Sequence, residues 1–106
     1  MVAVVGHRDG VAATTMQVRF ADAALDDIEA IRTYIAQDNP VAASRVAVAI
    51  VAAADRLAAN PRRGRVGAKS GTFELVVRPY VLVYEIGRED LLVLRVWHGR
   101  QRRPGV

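Results

Sequence analysis

The side chains best suited to chemistry lie in the C-terminal half of this chain. His98 is a candidate general acid or base, because imidazole titrates near neutral pH. Guanidinium groups form bidentate pairs with phosphates and carboxylates. The arginines that are candidates for such contacts are Arg65, Arg78, Arg95, Arg100, Arg102 and Arg103. These residue types indicate either phosphodiester chemistry or the binding of an acidic partner.

Each candidate also has a structural explanation. His98 and Trp97 adjoin at the end of an apolar run, so His98 serves either as a structural or partner-binding residue or as a catalytic one. Trp97 fits packing or a protein contact better than base stacking. Tyr80 and Tyr84 are expected to face the core, with their hydroxyl groups reaching the edge of a sheet.

Several classes of site are excluded or not indicated. The chain has no Cys, which excludes disulfides and thiolate metal ligands and fits a reducing cytoplasm. Asp26, Asp27 and Glu29 are predicted to lie on a solvated helix surface rather than to bind a metal. No glycine-rich phosphate loop or nucleotide-binding pattern is present, so no cofactor is expected. No apolar run reaches the roughly 20 residues that span a bilayer.

Charge is distributed unevenly along the chain. Residues 16–40 carry two basic and five acidic side chains, whereas residues 61–106 carry ten basic and four acidic ones. A basic half suits an anionic partner such as nucleic acid, a ribosome or an acidic protein segment, and a solvated basic surface is the alternative.

The 106 residues fit one domain, predicted over residues 16–106. Residues 1–15 show no periodicity and are predicted to be a disordered leader or an upstream extension of the true start. Met16 directly precedes a predicted strand over residues 17–20 and is a plausible initiator.

Two helices are predicted next. Apolar residues at three- and four-residue steps predict a helix over residues 22–38, with Asp22 as its N-cap. Asn39 and Pro40 then predict the N-cap and first residue of a second helix, over residues 40–59. The short connection makes the two helices an antiparallel hairpin.

Three strands follow, over residues 73–77, 80–86 and 91–98, with turns around Arg78-Pro79 and over residues 87–90. The fold class is therefore α+β, in the order β-α-α-β-β-β, with the helical hairpin on one face of a small antiparallel sheet. Because both faces of the last two strands are apolar, the second face is expected to be exposed and to bind a partner.

At this point the chain resembles the RelE/ParE superfamily of toxins from type II toxin–antitoxin modules. The segments that carry the resemblance are Tyr34-Ile35-Ala36 with Asn39-Pro40, Asn60-Pro61-Arg62 with Gly64-Arg65, Gly71–Val77, Pro79–Tyr84 and Arg95–Gln101. The resemblance covers about residues 16–104. It implies a hetero-oligomer with a cognate antitoxin, whose extended C-terminal segment wraps the toxin, and roles in growth arrest and plasmid stabilisation.

The superfamily has two branches, and the resemblance favours one of them. RelE-like members are ribosome-dependent messenger-RNA endonucleases and commonly have an Arg in the third strand, where this chain has Val81. A ParE-like toxin that inhibits DNA gyrase and is not an enzyme is therefore the first hypothesis, although Phe73 departs from an Arg that is common at that position. One alternative is a RelE-like nuclease acting on the ribosome and messenger RNA through His98, Arg100 and Arg65. Another is a degenerate member that binds antitoxin without toxicity.

The resemblance also implies a set of contact residues for the antitoxin or target. These are Tyr80, Tyr84, Arg78, Arg95, Trp97, His98, Arg100, Arg102 and Arg103.

Overall fold

The computed structural model describes the backbone of residues 2–5 and the whole of residues 16–100, with the backbone of residue 101. The main elements, in chain order, are β1 (Val2–Val5), β2 (Gln17–Ala21), α1 (Asp22–Ala36), α2 (Pro40–Arg56), β3 (Arg65–Val66), β4 (Phe73–Val77), β5 (Tyr80–Ile86) and β6 (Asp90–His98). Short 3-10 helices occur at Pro61–Arg63 and Gly99–Gln101. The predicted order β-α-α-β-β-β is confirmed, with β1 and β3 added to it.

The six strands form one sheet in the order β1-β2-β6-β5-β4-β3. β2 and β6 are parallel, while the other neighbouring pairs are antiparallel. The sheet is therefore mixed rather than wholly antiparallel as predicted. Hairpin turns force antiparallel pairing, whereas the long connection between β2 and β6, which contains both helices, permits parallel pairing.

The N-terminal prediction is tested only in part. Val2–Val5 form β1, which pairs with β2, while the rest of the predicted leader lies outside the described residues. The same holds for Arg102 and Arg103, so their predicted role as contacts stays a prediction.

The helix boundaries follow the local chemistry of the chain. The Oδ1 atom of Asn39 accepts a hydrogen bond from the backbone N–H of Ala42 at 3.0 Å, which confirms Asn39 as the N-cap of α2. α1 instead begins at Asp22, with Ala21 in the N-cap position, so the prediction that Asp22 is the cap was wrong. The carboxylate of Asp22 still lies in the first turn, where it favours the helix dipole.

One face of the sheet packs against the helical hairpin. The largest fully buried side chains of this core come from α2, its C-cap residue and three of the strands. They are Phe20, Ile50, Leu57, Leu82, Tyr84 and Leu91. The apolar steps that predict α1 are Leu25, Ile28, Ile31 and Ile35. The first three pack against this core while staying partly exposed. The helices therefore cover one sheet face and leave the other to form the candidate site.

Candidate functional site

The candidate site occupies the sheet face that points away from the helices. Two rows of opposed residues cross it. One row contains Val76, Val81 and Trp97, and the other contains Arg65, Glu74, Val83 and Arg95. The helices do not pack on this face, and the two rows end on β6 at Trp97 and Arg95. His98 and Arg100 follow at the C-terminal end of that strand, where His98 opposes Tyr80 of the core.

This face is not the broad exposed apolar surface that the sequence predicted. Val81, Val83 and Trp97 are only 5%, 2% and 9% exposed within the single chain. The exposed large apolar side chains among the described residues are Tyr34, Val41, Val48, Val66 and Val76. Only Val76 among them belongs to the two rows, so the predicted need for a cover over the whole face was wrong.

A β-bulge in β6 determines which side chains reach this face. Val83 opposes Arg95, but the next residue, Tyr84, opposes Val93, so Leu94 is an extra residue. Val93 and Val96 consequently both belong to the core. Strict alternation along β6, on which the sequence prediction of its two faces rests, would place Val93 and Val96 on opposite faces, so this prediction is wrong beyond Leu94.

Arg95 is held at the free edge of β6 by a carboxylate from α1. Its Nε donates to Oδ2 of Asp27 at 2.8 Å and its Nη2 donates to Oδ1 at 3.0 Å. The hydrogen bonds to Asp27 raise the pKa of the Arg95 guanidinium above its usual value. The Cζ of Arg95 lies 5.1 Å from the ring centre of Trp97.

Asp27 was assigned to a solvated helix surface, and the structure corrects this, since its side chain is only 16% exposed. Sequence reasoning missed it as a site residue. A signal was available, because Asp27 lies three residues after the buried Ala24 and four before Ile31, which places it on the apolar stripe of α1.

Arg65 forms a second ion pair on this face. Its Nε and Nη2 both donate to Oε1 of Glu74, at 3.2 Å and 3.1 Å. The side chain of Glu74 is 2% exposed and that of Arg65 is 54% exposed. A buried carboxylate requires a partner of opposite charge, so Arg65 first serves to neutralise the charge of Glu74.

Val81 lies in the central strand between Val76 and Trp97. Its neighbours in this row are aliphatic and aromatic. The ion pairs of Arg65 with Glu74 and of Arg95 with Asp27 involve the adjacent row. A buried valine in these surroundings offers no group that binds a phosphate.

His98 is engaged by the backbone that follows it. Its Nδ1 accepts a hydrogen bond from the N–H of Arg100 at 3.1 Å, and its ring meets Tyr80 edge-to-face at 5.6 Å. A ring that accepts at Nδ1 in its neutral form carries its proton on Nε2. In this arrangement His98 fixes the turn after β6.

The two tyrosines differ in their access to a partner. Tyr84 is fully buried; its hydroxyl donates to the carbonyl of Pro61 at 2.6 Å and accepts from the N–H of Gly64 at 3.0 Å. The prediction that Tyr84 contacts a partner does not fit this burial, because the residue closes the core. Tyr80 is 9% exposed beside His98, and burial raises the pKa values of both tyrosines.

Arg78 and Arg100 are exposed, as contact residues must be. Arg78 lies in the turn between β4 and β5, and Arg100 in the 3-10 helix after β6. The structure thus pairs Arg95 with Trp97, and Arg100 with His98, at the C-terminal end of β6. The described contacts do not join Arg78 to either pair.

The outer edge of β4 is a second feature that the sequence analysis missed. β3 pairs only with Phe73 and Glu74, so residues 75–77 have no strand partner on that side among the described strands. A pocket of about 110 Å³ opens there. It is lined by Ala53, Arg56, Arg63, Leu75, Val76 and Val77. The two-residue length of β3, which the sequence pattern does not reveal, creates this edge.

Two further classes of function find no support in the described residues. No group of three or more His, Asp or Glu side chains in this part of the chain is placed to hold a metal ion. Neither described helix has the length and apolar character needed to cross a membrane.

Comparison with known proteins gives a consistent result. The family model described as "ParE toxin of type II toxin-antitoxin system, parDE" matches residues 18–103. The putative toxin Y4kP of Sinorhizobium fredii is 40% identical over 92 residues, which are 85% of this chain and 95% of that protein. The toxin RelE2 of Caulobacter vibrioides is 40% identical over 82 residues, which are 77% of this chain and 93% of that protein.

A solved structure has the same fold. It is described as a chromosomal ParDE TA system from P. aeruginosa and superposes with a TM-score of 0.71 at 23% identity. The match covers 80% of this chain and 97% of the other. At this identity the likeness concerns the fold.

Proposed function

This chain belongs to the ParE toxin family of type II toxin–antitoxin systems, within the superfamily that the sequence analysis identified, and we propose that it inhibits DNA gyrase and is held inactive by a cognate antitoxin. The toxin is not an enzyme in this proposal. It acts by binding, through the end of β6 and the residues that follow.

The environment of Val81 is the observation that carries this choice of target. The resemblance to the nuclease branch implies an Arg at this position, where it would bind the scissile phosphate. Here the side chain is 5% exposed and lies between Val76 and Trp97. Stabilising a phosphorane-like transition state requires positioned cations, which this part of the face does not offer.

The remaining nuclease candidates are occupied in ways that suit binding better than catalysis. Arg65 is paired with the buried Glu74, and Nδ1 of His98 accepts a backbone hydrogen bond. Arg100 is exposed, lies two residues after His98 and donates its backbone N–H to the ring of His98. This adjacency is what favours the second candidate function, a RelE-like messenger-RNA endonuclease in which His98 and Arg100 act together.

The free edge of β4 supports the antitoxin half of the proposal. An unpaired strand edge presents backbone N–H and C=O groups that an extended segment can pair with. Arg56 and Arg63 line the adjacent pocket, and Val76 is 46% exposed beside them. A second copy of this chain would bring the same arginines face to face, which is repulsive. The edge therefore suits an extended segment with acidic side chains, which is the form proposed for the antitoxin.

A paired assay tests the target. Purified toxin is incubated with gyrase and supercoiled DNA, and in parallel with a translation reaction whose messages are mapped for breaks. We expect gyrase-dependent DNA cleavage and intact messages. We expect His98→Ala still to arrest growth through gyrase, at a somewhat higher dose, because His98 holds the turn after β6 and takes no part in a reaction. Breaks in the ribosomal A site that His98→Ala abolishes, at unchanged thermal stability, would establish the nuclease instead. Normal growth at confirmed soluble expression would establish a non-toxic, antitoxin-binding member.

A charge reversal tests the antitoxin edge. Arg56→Glu and Arg63→Glu are each expected to weaken antitoxin binding about tenfold, the usual cost of losing one charge-assisted contact and adding repulsion. Arg45→Glu, the same change at another exposed arginine of α2 that does not line the pocket, is the matched control. Equal dissociation constants for all three variants, measured by titration calorimetry, would place the antitoxin elsewhere.

A further inference from the structure

The second half of β6 lacks a strand neighbour on one side. β2 pairs with β6 only from Asp90 to Val93, after which the chain turns into α1. The bulge at Leu94 begins where this pairing ends. The backbone beyond it therefore needs another source of hydrogen bonds on its free edge.

Asp27 supplies that bond from α1. Its Oδ2 accepts from the backbone N–H of Val96 at 2.8 Å, in the place where a neighbouring strand would offer a carbonyl. The same carboxylate holds Arg95 through both of its oxygens. One side chain thus joins the first helix to two successive residues of β6.

The contact continues to the end of the strand. Arg95, fixed by Asp27, lies over the ring of Trp97. His98 is the next residue, and its ring accepts the backbone N–H of Arg100 in the turn that follows. We propose that Asp27 is a positioning residue: it sets the orientation of Arg95, Trp97 and the turn after β6, and so prepares the surface through which the toxin engages its target. This inference rests on the proposed function only in taking the end of β6 as the acting surface.

The arrangement also assigns Arg95 a role different from the contact predicted for it. Nε and Nη2 are both committed to Asp27, and the carboxylate neutralises the guanidinium charge. A group in that state is a weak anchor for a phosphate or an acidic peptide. Arg95 instead transmits the position of Asp27 to Trp97.

A single-residue exchange tests the proposal. Asp27→Asn keeps the size of the side chain and an acceptor for Val96, but it removes the charge that orients Arg95. Asp26→Asn makes the same change in net charge at the exposed neighbouring residue and is the matched control. Trp97 is the only Trp of the chain, so tryptophan fluorescence reports on the surroundings of this residue alone.

We expect Asp27→Asn to make Trp97 more accessible to acrylamide and to require about tenfold more toxin for the same growth arrest, as for the loss of one charge-assisted hydrogen bond. Asp26→Asn should match the wild type in both measurements. Both variants are measured well below the unfolding temperature and at equal folded fraction. Under these conditions a purely stabilising role of Asp27 would change neither the quenching of Trp97 nor the dose needed for growth arrest.

A second variant keeps the test decisive if Asp27→Asn does not fold. Arg95→Lys preserves the charge and the bond from Asp27 to Val96 but lacks the planar fork, and it should shift both readouts in the same direction. The double variant should be no weaker than the more affected single one, because both changes break one unit. Wild-type potency in the folded variants, or reduced potency with unchanged quenching, would overturn the proposal. Growth arrest by another target would refute the gyrase proposal and leave this one standing.

Discussion

Removing the hydroxyl group of Tyr84 should destabilise this protein measurably without touching its surface. Tyr84→Phe removes one hydrogen bond to the carbonyl of Pro61, at 2.6 Å, and one from the N–H of Gly64, at 3.0 Å. These groups belong to the segment that connects α2 to β3. Tyr84 is fully buried, so water cannot take the place of the hydroxyl without rearrangement.

The magnitude follows from the two bonds. A hydrogen bond contributes a net 0.5–1.5 kcal/mol, and a buried group left without a partner costs somewhat more, so the expected loss is about 2 kcal/mol. Because Pro61 and Gly64 are half-buried, water can hydrogen-bond in part to the Pro61 carbonyl and the Gly64 N–H. The expected loss therefore stays at about 2 kcal/mol. For a domain of this size the loss corresponds to a fall in Tm of roughly 8–16 °C.

Urea denaturation followed by Trp97 fluorescence and circular dichroism measures the free energy of unfolding. Tyr34→Phe is the matched control, because Tyr34 is 75% exposed and the same change there should stay within about 0.5 kcal/mol. If Tyr84→Phe and Tyr34→Phe lower the free energy of unfolding equally, the hydroxyl of Tyr84 does not hold the connecting segment and the reasoning is refuted.

Two further predictions concern capping and pH. Asn39→Ala should lower the free energy of unfolding by about 1 kcal/mol, because it removes the oxygen that accepts the backbone N–H of Ala42. Asn60→Ala is the control: the Asn60 side chain makes no capping hydrogen bond, so this change should have little effect in the same urea titration. Burial raises the pKa values of Tyr80 and Tyr84 above 10.0. Their contribution to stability is therefore complete below pH 10 and is lost as pH rises through the raised values. Tyr84→Phe should flatten this loss in an alkaline series of denaturation curves, and an unchanged slope would contradict it.

Local chemistry was sufficient to predict most of the fold from the sequence. Asn39 and Pro40 correctly divided the two helices, and β4 was placed with its observed bounds. The short strands were missed for physical reasons. β3 has two residues, and no alternation can be recognised over so short a span.

The candidate site was harder to predict because its contacts are between residues distant in sequence. Asp27 and Arg95 are 68 residues apart, and Tyr84 and Pro61 are 23 apart. Such pairs depend on the sheet register, which composition and periodicity do not determine. The types of residue were therefore identified, while the pairing that distinguishes a positioned arginine from a solvated one was not.

The bulge at Leu94 shows why an error of one residue matters here. Both faces of β6 are apolar, so the sequence offers no contradiction when alternation is extended through the bulge. The extra residue brings Val96 into the core together with Val93, and it begins at the point where β2 leaves β6. The free edge then becomes available to Asp27. The irregularity that periodicity does not predict thus permits the attachment of α1 to the end of β6. A variant that restores regular alternation there should make Trp97 more accessible to acrylamide, as we expect for Asp27→Asn.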